Sequence, residues 1–100
     1  MRRAAKVDAN QPAIVAALRE AGATVQSLAA IGDGCPDLLV GYQGVTLLME
    51  IKDGTKPPSA RRLTPDQLAW HGAWRGGALS VVMDEEGAIR ALRVIEQGAP

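Results

Sequence analysis

Apolar residues in this chain recur first at helical spacing, then at strand spacing, then at helical spacing again. Between residues 11 and 21, Ile14, Ala17, Leu18 and Ala21 fall at i, i+3, i+4 and i+7, the stripe of an amphipathic helix. Asn10 or Gln11 starts it, because Pro12 fits only the first turn, and Gly22 ends it. A short strand over Thr24–Leu28 follows, then the loop "AAIGDGCP", then a hairpin over "DLLVGYQGVTLLMEIK". The next loop, "DGTKPPSARR", is too rich in proline and charge to pack. Thr64 as N-cap, Pro65 at the first helical position and Gln67 at the third spell a capping box, with Leu63 and Leu68 placed as a hydrophobic staple. Gly76 and Gly77 stop this second helix, "ALSVVM" reads as a fourth strand, and Asp84 caps a last helix. Its stripe is Ala88, Ala91, Leu92 and Ile95, and Gly98 closes it. The order α-β-β-β-α-β-α, without repeats or low-complexity segments, predicts a mixed α/β fold: a central sheet flanked by helices.

The hairpin raises a chemical question. With the tightest turn at Gln43-Gly44, Tyr42 faces Val45 and, counting back along both strands, Asp37 faces Glu50. Their β-carbons then lie about 5 Å apart on one face. Lys52, two residues beyond Glu50, shares that face. A four-residue loop moves Asp37 opposite Leu48 and keeps the three charges together; a three-residue loop without a bulge separates them. The other face, Leu38, Val40, Tyr42, Val45, Leu47, Met49 and Ile51, is wholly apolar and is expected to be buried. Like charges directly across a hairpin are destabilising, so folding alone does not select this pair. Either Lys52 neutralises the two acids near a sheet edge, or the acids hold a hard cation. Mg²⁺ or Mn²⁺ takes one or two carboxylates plus water and substrate phosphate. Lys52 would then stabilise charge developing on phosphoryl oxygens.

Composition narrows the setting. One hundred residues with 47% hydrophobic and 22% charged content make one globular domain, residues 1–100, with a basic arm over 1–9 and a short tail over 96–100. Three aromatic residues and no Phe leave the core to Leu, Ile, Val and Ala. The formal net charge is zero, yet Arg2, Arg3 and Lys6 open the chain and Lys56, Arg61 and Arg62 cluster after the hairpin, whereas the last third is acidic. Both basic groups are candidates for phosphate contact. A lone Cys35 excludes an internal disulfide and a cysteine-based zinc site. With no apolar run near the roughly 18 residues of a membrane span and no signal peptide, a cytoplasmic protein is expected, with no membrane partner.

"PD" at 36–37, followed 13 residues after Asp37 by "EIK" at 50–52, resembles the PD-(D/E)XK nuclease signature. The element order resembles that superfamily's restriction-endonuclease-like core. With "DANQPAIVAALREAGA", "GCPDLLVG", "MEIKDG" and "PPSARRLTPDQLAWH", the chain is similar to the standalone, phage-type branch of the virus-type replication-repair nuclease (VRR-Nuc) family, from about Asp8 to about Leu92. The resemblance implies a metal-dependent DNA endonuclease. Asp37 and Glu50 match metal-binding carboxylates, the Ile51 carbonyl a further ligand, and Lys52 the lysine that orients or activates the attacking water. It also implies Mg²⁺ or Mn²⁺ as cofactor, no small-molecule cofactor, branched DNA as substrate in the manner of Holliday-junction resolvases, and a homodimer with one active site per strand. A nickase or flap-processing nuclease, and a non-catalytic DNA-binding module, are the alternatives.

Where many relatives carry a glutamate ligand on the first helix, this chain has Gln11, able to offer only a neutral carbonyl oxygen. Glu20, the one acid on that helix, is expected to face solvent. Gln67 has two readings, as helix cap and as a residue orienting Lys52 or a phosphate. His71 is expected at the surface or an interface rather than as a general base. Trp70 and Trp74 are expected in the core or a dimer interface, Cys35 as a small buried side chain, and Asp53 in a solvated turn.

Overall fold

A computed structural model describes residues 7–98. The basic arm of Arg2, Arg3 and Lys6 therefore lies outside the described residues. Three helices, α1 (Gln11–Glu20), α2 (Pro65–Ala73) and α3 (Glu85–Glu96), accompany four strands, β1 (Thr24–Ser27), β2 (Leu38–Tyr42), β3 (Val45–Ile51) and β4 (Leu79–Val82). The strands form one mixed sheet in the order β1-β2-β3-β4. The first three are antiparallel neighbours, and β4 runs parallel to β3 after the crossover through α2.

The hairpin takes the two-residue turn. Tyr42 pairs with Val45 and Leu38 with Met49. Gln43 and Gly44 both have positive φ, 49° and 79°, the twist a tight hairpin requires. On one face Leu38, Val40, Tyr42, Leu47, Met49 and Ile51 bury against Ile14 and Leu18 of α1 and Ala88 and Leu92 of α3. Val45 departs from the expected apolar face: it is 40% exposed at the hairpin tip, beyond the reach of both helices.

Helix signals translate directly. Thr64 Oγ1 accepts from the Gln67 N–H, Gln67 Oε1 accepts from the Thr64 N–H, and the Asp84 side chain accepts from the Gly87 N–H. Ala88 and Leu92 of the α3 stripe are buried, with Ala91 and Ile95 packed beside them. Three expectations need correction. The first strand ends at Ser27, one residue early, although the Leu28 N–H still donates to the Asp37 carbonyl in the register of the ladder. The proline-rich loop contains a single 3₁₀ turn, Pro58–Arg61, in which proline supplies a compatible φ. Leu68 stands 59% exposed, so the staple meets solvent on that side. Among the described residues, no helix is long and apolar enough to cross a membrane.

Candidate active site

β3 carries the site because it is an interior strand. Its last residues lie between β2 and β4, so Glu50 is 1% exposed and Lys52 8%. The register continues past Leu38 to set Asp37 opposite Glu50, and Asp37 Oδ2 accepts the Ile51 N–H at 2.7 Å. This removes the sheet-edge reading of the acids. Lys52 does not neutralise them by contact either: its Nζ donates to Gln67 Oε1 at 2.7 Å.

Two neighbouring carboxylates, one of them buried, resist ionising together. Burial pushes the Glu50 carboxyl up to about 9, aided by a hydrogen bond with Asp37 and by the negative charges of Asp37 and Asp8, while Lys52 pulls the other way. In the metal-free protein the pair therefore retains a proton near neutral pH. Burial, then the charges of Glu50 and Asp37, raise the Cys35 thiol. Cys35 is half-buried rather than enclosed.

The other residues of the site come from α2. Gln67 performs both of the roles read for it. Its Oε1 accepts from Thr64 N–H and from Lys52 Nζ together, and its Nε2 donates to Glu50 Oε2 at 3.2 Å. One amide thus caps its own helix and ties the lysine to the carboxylate. His71, expected at the surface, instead sets Nε2 3.1 Å from Glu50 Oε1, with its side chain 14% exposed. The crossover from β3 to β4 lays α2 over the charged face, and a residue one turn after Gln67 must point the same way. Burial and the Lys52 charge push His71 below its usual range, so this contact joins two neutral groups and is no ion pair. His71 is the site residue that the sequence reading missed; its i, i+4 relation to Gln67 was the available signal.

α1 is fastened to the site by Asn10, whose Nδ2 donates to the carbonyls of Lys52 and Met83 at the ends of the two parallel strands. The next residue, Gln11, is consequently 5% exposed, and its Oε1 finds no hydrogen-bond partner among the described residues. An unpaired buried carbonyl oxygen is costly unless something electropositive meets it. On the side opposite α1, the loop before Asp37 presses on the start of α2. At Gly34, φ is +84° and a β-carbon would come within 2.2 Å of the Asp66 carbonyl oxygen. Only glycine allows the loop to approach so closely.

The remaining predicted residues sit apart. Lys56 and Arg62 are exposed, and Arg61 rests its guanidinium 3.9 Å from Met83 Sδ; none touches the carboxylates. Asp53 accepts from the Thr55 N–H and hydroxyl in a turn, which lowers its pKa, and Glu20 is exposed. The tryptophans are not core residues. They stack on each other, centroids 5.1 Å apart, Trp74 is 38% exposed, and its indole N–H donates to the Gly77 carbonyl. α2 buries none of its residues.

Asp37 and Glu50 bring two hard carboxylates side by side, the kind of oxygen donor that Mg²⁺ or Mn²⁺ takes, whereas no contact ties the Ile51 carbonyl or the Gln11 amide oxygen to them. Among the described residues no three His, Cys, Asp or Glu side chains gather as a ligand cage. A two-carboxylate site completed by water and phosphate needs none. No protein-family model, no curated protein and no solved structure matches this chain.

Proposed function

We propose that this chain is a metal-dependent DNA endonuclease with a PD-(D/E)XK-type core, acting on branched DNA as a homodimer. The observation that carries the reading is the buried Glu50 beside the half-buried Asp37, with the buried Lys52 on the same face. A structural role is a weak account of it, since a hydrophobic pair at these positions would stabilise the sheet more.

Asp37 and Glu50 are the cation ligands, with Ile51 and Gln11 offering neutral oxygens. Bound Mg²⁺ or Mn²⁺ supplies a water of lowered pKa and a clamp on the scissile phosphate. Lys52, held by Gln67, presents its ammonium to the attacking water or the developing phosphoryl charge. Lys56, Arg61 and Arg62 follow directly on β3 and bind backbone phosphate, so cleavage weakens as salt rises. Leu68 and Trp74, exposed on α2, are the surface we assign to a second copy.

The test is cleavage of a labelled four-way junction beside its linear duplex arm, with Mn²⁺, Mg²⁺ or EDTA, for the wild type and Lys52→Ala. Paired, metal-dependent cuts confined to the junction and lost in the variant are expected. Cutting of both substrates would keep the site and discard junction selectivity. Binding without any cutting would replace the enzyme by a DNA-binding module.

A further inference from the structure

We propose that His71 is a positioning residue for Glu50, and that with Gln67 it forms a clamp presenting the carboxylate to the cation. This rests on the metal-site reading above and adds to it a residue that the nuclease signature does not contain.

The clamp is a consequence of helix geometry. Residues four apart lie one turn above each other on the same side of a helix, and here both reach the same carboxylate. Gln67 Nε2 meets Oε2 at 3.2 Å and His71 Nε2 meets Oε1 at 3.1 Å. A carboxylate has about four lone-pair sites, so one donor on each oxygen leaves one site on each for a cation. Glutamate has a long side chain, and an unheld carboxylate would have to be ordered when the cation arrives. Held at both oxygens, that ordering is complete beforehand, as with the outer partners that orient metal ligands elsewhere.

A packing role does not account for His71. Its helix buries no residue of its own, and the group that the ring nitrogen meets is the Glu50 carboxylate. Its side chain is nevertheless only 14% exposed against a carboxylate at 1%. The Trp70 ring meets it edge-on, 6.3 Å between centroids and 75° between planes, and braces it from the side. The Trp pair thus stiffens the turn that carries the clamp.

His71 is the only histidine in the chain, which makes the test direct. In ¹⁵N-labelled protein at fixed pH, without DNA, the imidazole gives one pair of nitrogen signals. The proton is expected on Nε2, and Mg²⁺ is expected to shift that signal in the wild type and leave it unmoved in Glu50→Gln. Calorimetry should find Mn²⁺ affinity about 10–100-fold weaker in His71→Leu. His71→Gln, whose amide can still donate, should recover most of it, with circular dichroism unchanged throughout. An Nε2 without its proton, a signal indifferent to Mg²⁺, or wild-type Mn²⁺ affinity in His71→Leu would overturn the clamp. The nuclease reading fails separately: a protein that binds Mn²⁺ through His71 yet cuts no DNA keeps the clamp and loses the enzyme. A wild type that binds no Mn²⁺ would sink both.

Discussion

Glu50 concentrates the conflict between stability and use at a single side chain. Its folded-state carboxyl is raised to about 9 from 4.5, chiefly by burial and then by Asp37. Between those values the folded protein holds a proton that the unfolded chain has released. Linkage then makes stability fall as pH rises: this contribution is fully present below about pH 4.5 and lost on approach to pH 9. Metal-free wild type should therefore melt at progressively lower temperature from pH 5 to pH 9. Glu50→Gln keeps the shape without the ionisation and should lose most of this slope. At pH 8 it should be the more stable protein by about 1 kcal/mol or more, or about 4–8 °C in Tm, while binding no Mn²⁺. Thermal melts across that range with EDTA check both parts. Equal slopes in the two proteins would remove the proton-sharing pair from the account. A site residue whose replacement stabilises the fold is the sign of strain kept for function.

At the scale of the element, α2 joins two tasks that sequence reading treated as rivals. The Gln67 amide closes a capping box with one atom pair and joins Lys52 to Glu50 with the rest. Gln67→Glu separates the tasks. Glutamate is equally suited to a capping box and still accepts from Lys52, yet it has no N–H for Glu50 and sets a third carboxylate beside the pair. Stability should stay within about 1 kcal/mol of wild type by denaturant unfolding, whereas junction cleavage should fall at least about tenfold. A parallel loss of both would mean that Gln67 acts only through its helix. The split explains what could be read beforehand. Caps, the Gln43-Gly44 turn and the Asp37–Glu50 register are local, fixed by residues a few positions apart, and all were legible. The contact of His71 with Glu50 spans 21 residues and depends on where the crossover lays α2, which no local periodicity encodes. Gln11 was legible as a candidate ligand; its burial was not, because Asn10 achieves it by reaching across to the ends of β3 and β4.

On the scale of the whole molecule the two faces of the sheet are covered unequally. α1 and α3 bury Ile14, Leu18, Ala88 and Leu92 on one side, whereas α2 on the other buries nothing and is held largely by polar contacts to Glu50 and Lys52. The hydrophobic term that stabilises the first face, about 25 cal/mol per Å² of apolar area, is smaller on the second, where Leu48 is buried among polar neighbours. Local opening therefore requires little apolar exposure at α2 and nearly global unfolding at α1, α3 and β3. Native-state hydrogen exchange should find the α2 amides opening well before those of α1, α3 and the buried strands. Cation binding changes the balance in one direction. A cation bound as proposed would ionise Glu50, and hydrogen bonds from Gln67 and His71 to a carboxylate are roughly twice as strong as those to a neutral acid. Mg²⁺ should then slow exchange in residues 65–73 several-fold and leave α1 and α3 nearly unchanged. Uniform slowing across the chain would instead indicate simple ligand stabilisation of the global fold. Selective slowing would mean that the helix completing the site is organised by the same cation that the site binds.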